Sequence, residues 1–137
     1  MSAFVDQSRT LRSEIDRLGK SPVRRLQSLG RLAPGTMNKT EAKYAAHLDR
    51  LKLAGDVLWY GFEAMTFKLA HDCRLTPDFI ILRPDMSLAA HDVKGSPAIV
   101  SDDAKVKMRV AANLMPLPFF YAFPRKGGGW DLDEVHP

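Results

Sequence analysis

Only one cysteine, Cys73, occurs in the 137 residues. No internal disulfide can form, as expected of a protein kept in a reducing cytoplasm. With no second cysteine, His47, His71, His91 and His136 have no partners at zinc-finger spacing. No apolar run approaches the roughly 20 residues that a membrane-spanning helix needs, and no secretory signal is visible. A G-x-x-x-x-G-K-[ST] loop is missing, so nucleotide hydrolysis has no support, and no G-x-S-x-G elbow offers a serine nucleophile. Acidic residues are the minority, 16 against 20 Lys and Arg, for a formal net charge of +4 and a pI of about 9.4. That balance favours polyanionic partners without identifying them. The length suits one domain with a real core.

What is present centres on two short segments, Pro77-Asp78 and Asp92-Val93-Lys94. Thr76 to Leu82 (TPDFIIL) is rich in β-branched and aromatic residues and ends at the turn signal Arg83-Pro84-Asp85. Ser87 to Lys94 (SLAAHDVK) returns and stops at Gly95, so the two segments read as an antiparallel hairpin. Side chains alternate along a strand, which puts Asp92 and Lys94 on one face and Val93 and His91 on the other. Asp78 joins the face of Asp92 only if the two pair directly, and that requires a loop with an odd number of residues, such as 84–86 or 83–87. An even loop would send Asp78 to the far face. If the condition holds, two carboxylates can take a hard cation and an ammonium group stands beside it, the two things that phosphodiester cleavage needs.

A helix precedes the hairpin. Asn38-Lys39-Thr40-Glu41 reads as a capping box with Asn38 as N-cap, Tyr44, Ala45, Leu48 and Leu51 recur at helical spacing, and Gly55 stops the run. Glu41 lies at the end of the buried stripe, where it can cap its helix or face the hairpin; a carboxylate tied to the backbone has fewer lone pairs left for a metal. Val57 to Glu63 and Met65 to Ala70 read as strands, with Glu63 an exposed strand end. A second helix runs from about Asp102 to Leu114 and is closed by Pro116, and Leu117 to Phe123 is an apolar strand. The order αβββαβ predicts an α/β domain, a mixed sheet flanked by helices, with the strand at 117–123 free to pair parallel to the one at 87–94 through a right-handed crossover. Trp59, Tyr60, Phe62, Phe119 and Phe120 read as core rather than as platforms for stacking bases.

The order of elements, with Glu41, Pro77-Asp78 and Asp92-Val93-Lys94, resembles the PD-(D/E)xK nuclease superfamily. Met37 to Ala42 and Thr76 to Phe79 are similar to a family of short phage and prophage proteins of unknown function. The resemblance covers roughly residues 37–123. It implies a restriction-endonuclease-like core shared with phage Holliday-junction resolvases, a DNA endonuclease activity, and residence in the cytoplasm of a bacterial host. One departure is Asp92, where Glu is commoner. The implied chemistry suits the residues. Asp78, Asp92 and the Val93 carbonyl would supply oxygens to Mg²⁺, with Mn²⁺ a compatible substitute, and Glu41 would hold a second ion or the water network. Lys94 would orient the attacking water and stabilise the growing charge. Branched DNA as substrate follows from resolvase analogy alone. A non-catalytic DNA-binding module on the same fold, or a sequence- or damage-directed nuclease, are the alternatives.

Basic residues are unevenly placed. Lys20, Arg24, Arg25, Arg31 and Lys39 precede the core, and Lys105, Lys107 and Arg109 lie on the second helix, where Lys105 and Arg109 share a face. These are candidates for phosphate contacts, of which Lys39, Lys105, Lys107, Arg109, Arg24 and Arg25 form the expected DNA-binding set. Arg125 and Lys126 lead into Gly127-Gly128-Gly129, which reads as a flexible loop. Residues 1–36 read as a short helix with Phe4, Leu11, Ile15 and Leu18 in one stripe, then a basic linker. The stripe would dock on the core or pair with a second copy, giving a homodimer suited to the two cuts of junction resolution. Residues 37–137 would then be the nuclease domain.

Overall fold

The structure, a computed structural model, describes residues 36–137. The expected N-terminal helix and its stripe, together with Arg24 and Arg25, lie outside the described residues. Helix α1 spans Lys39–Ala54. Asn38 caps it, accepting the Glu41 N–H at 2.8 Å through Oδ1, which satisfies one of the amides that a helix start leaves without a partner. Gly55 ends it in the left-handed region at φ 84°, and its N–H reaches back to the Leu51 and Lys52 carbonyls. Tyr44, Ala45 and Leu48 are the residues it buries.

Seven strands follow: β1 Trp59–Phe62, β2 Phe67–Ala70, β3 Cys73–Leu75, β4 Phe79–Leu82, β5 Leu88–Val93, β6 Phe119–Pro124 and β7 Trp130–Glu134. Helix α2, Asp102–Leu114, lies between β5 and β6. Ser101 caps α2, taking the Ala104 N–H at 3.2 Å, and Asp102 and Asp103 in its first turn suit the positive end of the helix. Five strands form a mixed sheet in the order β1-β4-β5-β6-β7, in which only β5 and β6 pair parallel. The α/β class, the flanking helices and the parallel β5–β6 pair are as the sequence predicts.

The sheet is packed on both faces. On one, Tyr44, Ala45 and Leu48 of α1 meet Phe79, Ile81, Val93 and Ala122. On the other, Met108 and Ala111 of α2 meet Ile80, Ala90 and Phe119. Phe79, Ile80 and Phe119 are fully buried, each contributing roughly 1.5–3 kcal/mol by removal from water. Adjacent residues of β4 and β5 therefore serve opposite layers, and this alternation positions the site.

Four expectations are corrected or made more specific. The stretch 65–70 does not join the main sheet; β2 pairs with β3 in a separate two-stranded sheet beside α2, with Leu69 entering that core. The segment expected from Thr76 pairs only from Phe79, because Pro77 has no N–H to give a neighbour. The glycine run is the turn of a hairpin: Gly127, Gly128 and Gly129 all have positive φ, and β7 returns along β6. Trp59 is also not core, since it is 42% exposed. Its indole lies over Gly61, where an added Cβ would stand 2.7 Å from a Trp59 ring carbon. The ring covers backbone left bare by glycine on an edge strand.

Candidate functional site

The hairpin register meets the condition set by the sequence. Phe79 pairs with His91, Ile80 with Ala90, Ile81 with Ala89 and Leu82 with Leu88, so residues 83–87 form the loop, an odd number. Arg83 and Ser87 close it through a backbone bond of 2.9 Å, and Asp85 accepts both the Ser87 N–H at 3.0 Å and its hydroxyl. Those two bonds hold the Asp85 carboxyl below the usual range. One step beyond the Phe79–His91 pair places Asp78 opposite Asp92. The Asp78 Oδ2 accepts the Val93 N–H at 2.8 Å, and Lys94 Nζ stands 3.3 Å from Asp92 Oδ2. Lys94 is fixed from the other side, its N–H donating to the Ala122 carbonyl of β6 at 3.0 Å.

The electrostatics of this cluster are those of crowded negative charge. Burial first, then the neighbouring Asp92, push the Asp78 carboxyl up to about 8; the Val93 N–H opposes the rise and Glu41 adds to it. The rise favours the protonated form of Asp78 in the absence of a cation, because two carboxylates this close in a half-buried setting resist joint ionisation. Glu41 is also raised, by burial first and then by Glu63 and Asp92, while Lys94 and Asn38 pull it down. It senses the site, yet its Oε1 accepts from Asn38 Nδ2, so part of its capacity is spent at the helix start. Among the described residues, no group of three or more His, Cys, Asp or Glu side chains is arranged to share an ion. The protein donors brought together are therefore the Asp78–Asp92 pair, next to the Val93 peptide, with Glu41 at the margin.

Glu63 is the acidic residue that sequence reasoning set aside. It follows Phe62, which pairs with Phe79, so it falls opposite Asp78, and its N–H donates to the Asp78 carbonyl at 2.8 Å. Its backbone is left-handed, at φ 49°. Only the β1–β4 register reveals this position, and no local pattern around Glu63 encodes it.

His91 points away from Asp92, as alternation requires. It is 7% exposed, and its Nδ1 shares a 2.6 Å hydrogen bond with the Tyr44 hydroxyl of α1. Burial, then Arg83 and His47, push its pKa down to about 4, so the ring is neutral and structural.

Of the expected phosphate contacts, Lys105 and Arg109 line an open cleft of about 310 Å³ with Tyr121, Glu134, Val135 and His136. Tyr121 lies beside Asp92 in the β5–β6 register. Its hydroxyl pKa is raised by burial and by Asp92 and lowered by Arg109, so it links the carboxylates to the cleft. Lys107 is exposed on α2 outside that cleft, and Lys39 is exposed at the first turn of α1. No helix among the described residues is long and apolar enough to cross a membrane. No protein-family model matches this chain, and neither a curated protein nor a solved structure shows significant similarity to it.

Proposed function

We propose that this chain is a metal-dependent DNA endonuclease of the PD-(D/E)xK type, with a restriction-endonuclease-like core formed by α1, β1, β4, β5, α2 and β6. The observation that carries the reading is the register that sets Asp78 against Asp92, with Lys94 on the same face of the same strand end. A carboxyl pair that holds a proton for want of positive charge is a site that a divalent cation would relieve. Mg²⁺ is commonly held by one or two carboxylates, with waters and phosphate completing its shell, so this donor set fits. Asp78, Asp92 and the Val93 carbonyl would hold the ion, and Glu41 would hold surrounding waters. When bound, the ion supplies charge neutralisation at the phosphate and a water of lowered pKa.

The chain's own groups account for the rest. The Val93 N–H fixes the Asp78 carboxylate, leaving its other oxygen for a ligand. Asp92 keeps the Lys94 ammonium at the site, where it stabilises negative charge on the phosphorane-like transition state and orients the attacking water. Lys105 and Arg109 would position the phosphates of the bound strand. Branched DNA is the substrate class proposed by resemblance, with homodimerisation supplying two cuts.

The test is incubation with labelled junction, duplex and single-stranded DNA, in Mg²⁺ or EDTA. Cutting in Mg²⁺ alone that is abolished by Asp78→Ala and by Lys94→Ala is the expected outcome. Cutting that survives both substitutions places the site elsewhere. A second reading, a DNA-binding module without catalysis, is favoured by the lack of a third converging carboxylate among the described residues. It predicts binding with no cleavage of any of the three DNAs.

A further inference from the structure

A second cleft of about 390 Å³ lies on the α1 side of the sheet, between that helix and the β6–β7 hairpin. Lys43, Ala46 and Arg50 form its helical wall, and Pro124, Arg125, Gly128, Gly129 and Trp130 form the other. Lys43 and Arg50 are seven residues apart and so project from one side of α1, about 10 Å apart along its axis. Ala46 sits between them with a short side chain, which leaves the floor open between two long cations. Trp130 anchors the opposite wall, its ring packed edge-on against Tyr44 at 4.8 Å. Arg125 donates to Asp131 through Nε, which orients the guanidinium and leaves its terminal nitrogens available.

Among the described residues, two of the three cations of this cleft, Lys43 and Arg50, have no acidic partner. The nearby acids are engaged elsewhere: Asp49 accepts from the Tyr60 hydroxyl, and Asp131 is taken by Arg125. Strand β6 connects the cleft to the carboxylate site: its Ala122 accepts the Lys94 N–H, and the strand runs on to Pro124 and Arg125. An open, cation-lined channel about 10 Å long is too extended for one phosphate group. It reaches neighbouring phosphates of one strand, about one for each of Lys43 and Arg50.

We infer that this cleft holds the sugar–phosphate backbone of duplex DNA outside the cleaved segment, as a track separate from the Lys105–Arg109 cleft beyond the opposite layer. The inference rests on the DNA substrate proposed above and adds Lys43, Arg50 and Arg125 to the residues that grip it. Two basic tracks flanking one cutting site would orient the duplex across the end of the sheet. Phosphate contacts of this kind carry no base information and set register only.

The experiment is fluorescence anisotropy of a labelled duplex over a range of salt, in EDTA so that binding is separate from cutting. Wild type is compared with Lys43→Gln/Arg50→Gln and with a control on the exposed strand β2, Lys68→Gln, each checked for an unchanged melting temperature. The double variant is expected to bind about 10-fold more weakly, with a salt slope shallower by about 2, one phosphate contact being lost for each cation. The control is expected to behave as wild type. An unchanged affinity and slope in the double variant overturns the inference, as does wild type that does not bind the duplex at all. Cleavage is scored separately in Mg²⁺. Cutting with no effect of the double variant on binding sinks the track and leaves the nuclease; a shallower slope with no cutting leaves the track and sinks the nuclease.

Discussion

His91 and Asp92 are neighbours on β5, each half of a polar pair that crosses to another element, and they are opposite in character. His91 meets Tyr44 across the α1 layer in a closed hydrogen bond between neutral groups, sealed by Phe120 and Phe79. Asp92 meets Asp78 across the hairpin, where burial and the neighbouring charge raise the Asp78 pKa. The first pair is complete within the protein and adds to its stability. In the second, Lys94 meets Asp92 alone, and among the described residues no cation meets Asp78. A buried polar group whose needs are met locally reads as architecture, and one whose needs are unmet reads as a binding site.

The contrast is breakable at several points. Substitution on the Asp92 side should strike activity and spare the fold: Lys94→Ala should slow cleavage by about 10²–10³-fold, the usual loss when a transition-state charge stabiliser is removed. DNA affinity measured in EDTA should change by only a few-fold. The His91 side should show the reverse. Tyr44→Phe strips the partner from a buried ring nitrogen, and a loss of about 1–3 kcal/mol in denaturant unfolding is expected, with cleavage below the melting range unaffected.

The two pairs should also give stability opposite dependences on pH. The unfolded chain releases the Asp78 proton near 3.8, whereas the folded chain keeps it to about 8. Stability from this group therefore falls as pH rises between those values. His91 is pushed down from 6.5 to about 4, so its contribution is present above 6.5 and lost as pH falls through that window. The two slopes oppose each other below pH 6.5, and above it only Asp78 acts. Metal-free protein should lose up to about 2 kcal/mol between pH 6.5 and 8. Asp78→Asn should flatten that limb, and melting curves across the range would expose any failure to do so. The smallest effect sharpens the role of Glu41. Asn38→Ala removes the α1 cap and should cost about 1 kcal/mol, while freeing a Glu41 oxygen; tighter Mg²⁺ binding by calorimetry would show that capping competes with the site.

How much of this was legible in the residues differs from element to element. Both helices announce themselves through Asn38, Ser101 and Gly55, since caps are local chemistry. The central hairpin could be reduced to one question, odd or even loop, because strand alternation is rigid. What failed depended on pairing partners. Phe67–Ala70 has ordinary strand composition, and nothing in it says that its partner is Cys73–Leu75 rather than the main sheet. Glu63 looked like a solvated strand end because its neighbour Asp78 is supplied by β4. The strand Trp130–Glu134 alternates Trp, Asp, Leu, Asp and Glu and lies mostly exposed at the sheet edge, so its hydrophobic signal is weak.

The bond from the Lys94 amide to the Ala122 carbonyl carries a consequence for the order in which the molecule assembles. Strands β4 and β5 are joined by a short turn and can zip together early. The lysine's backbone, however, gains this bond only after the polypeptide has passed through α2 and returned as β6, a longer-range contact. A nascent chain halted before Phe119 would carry both aspartates on a hairpin whose β5 edge is unguarded.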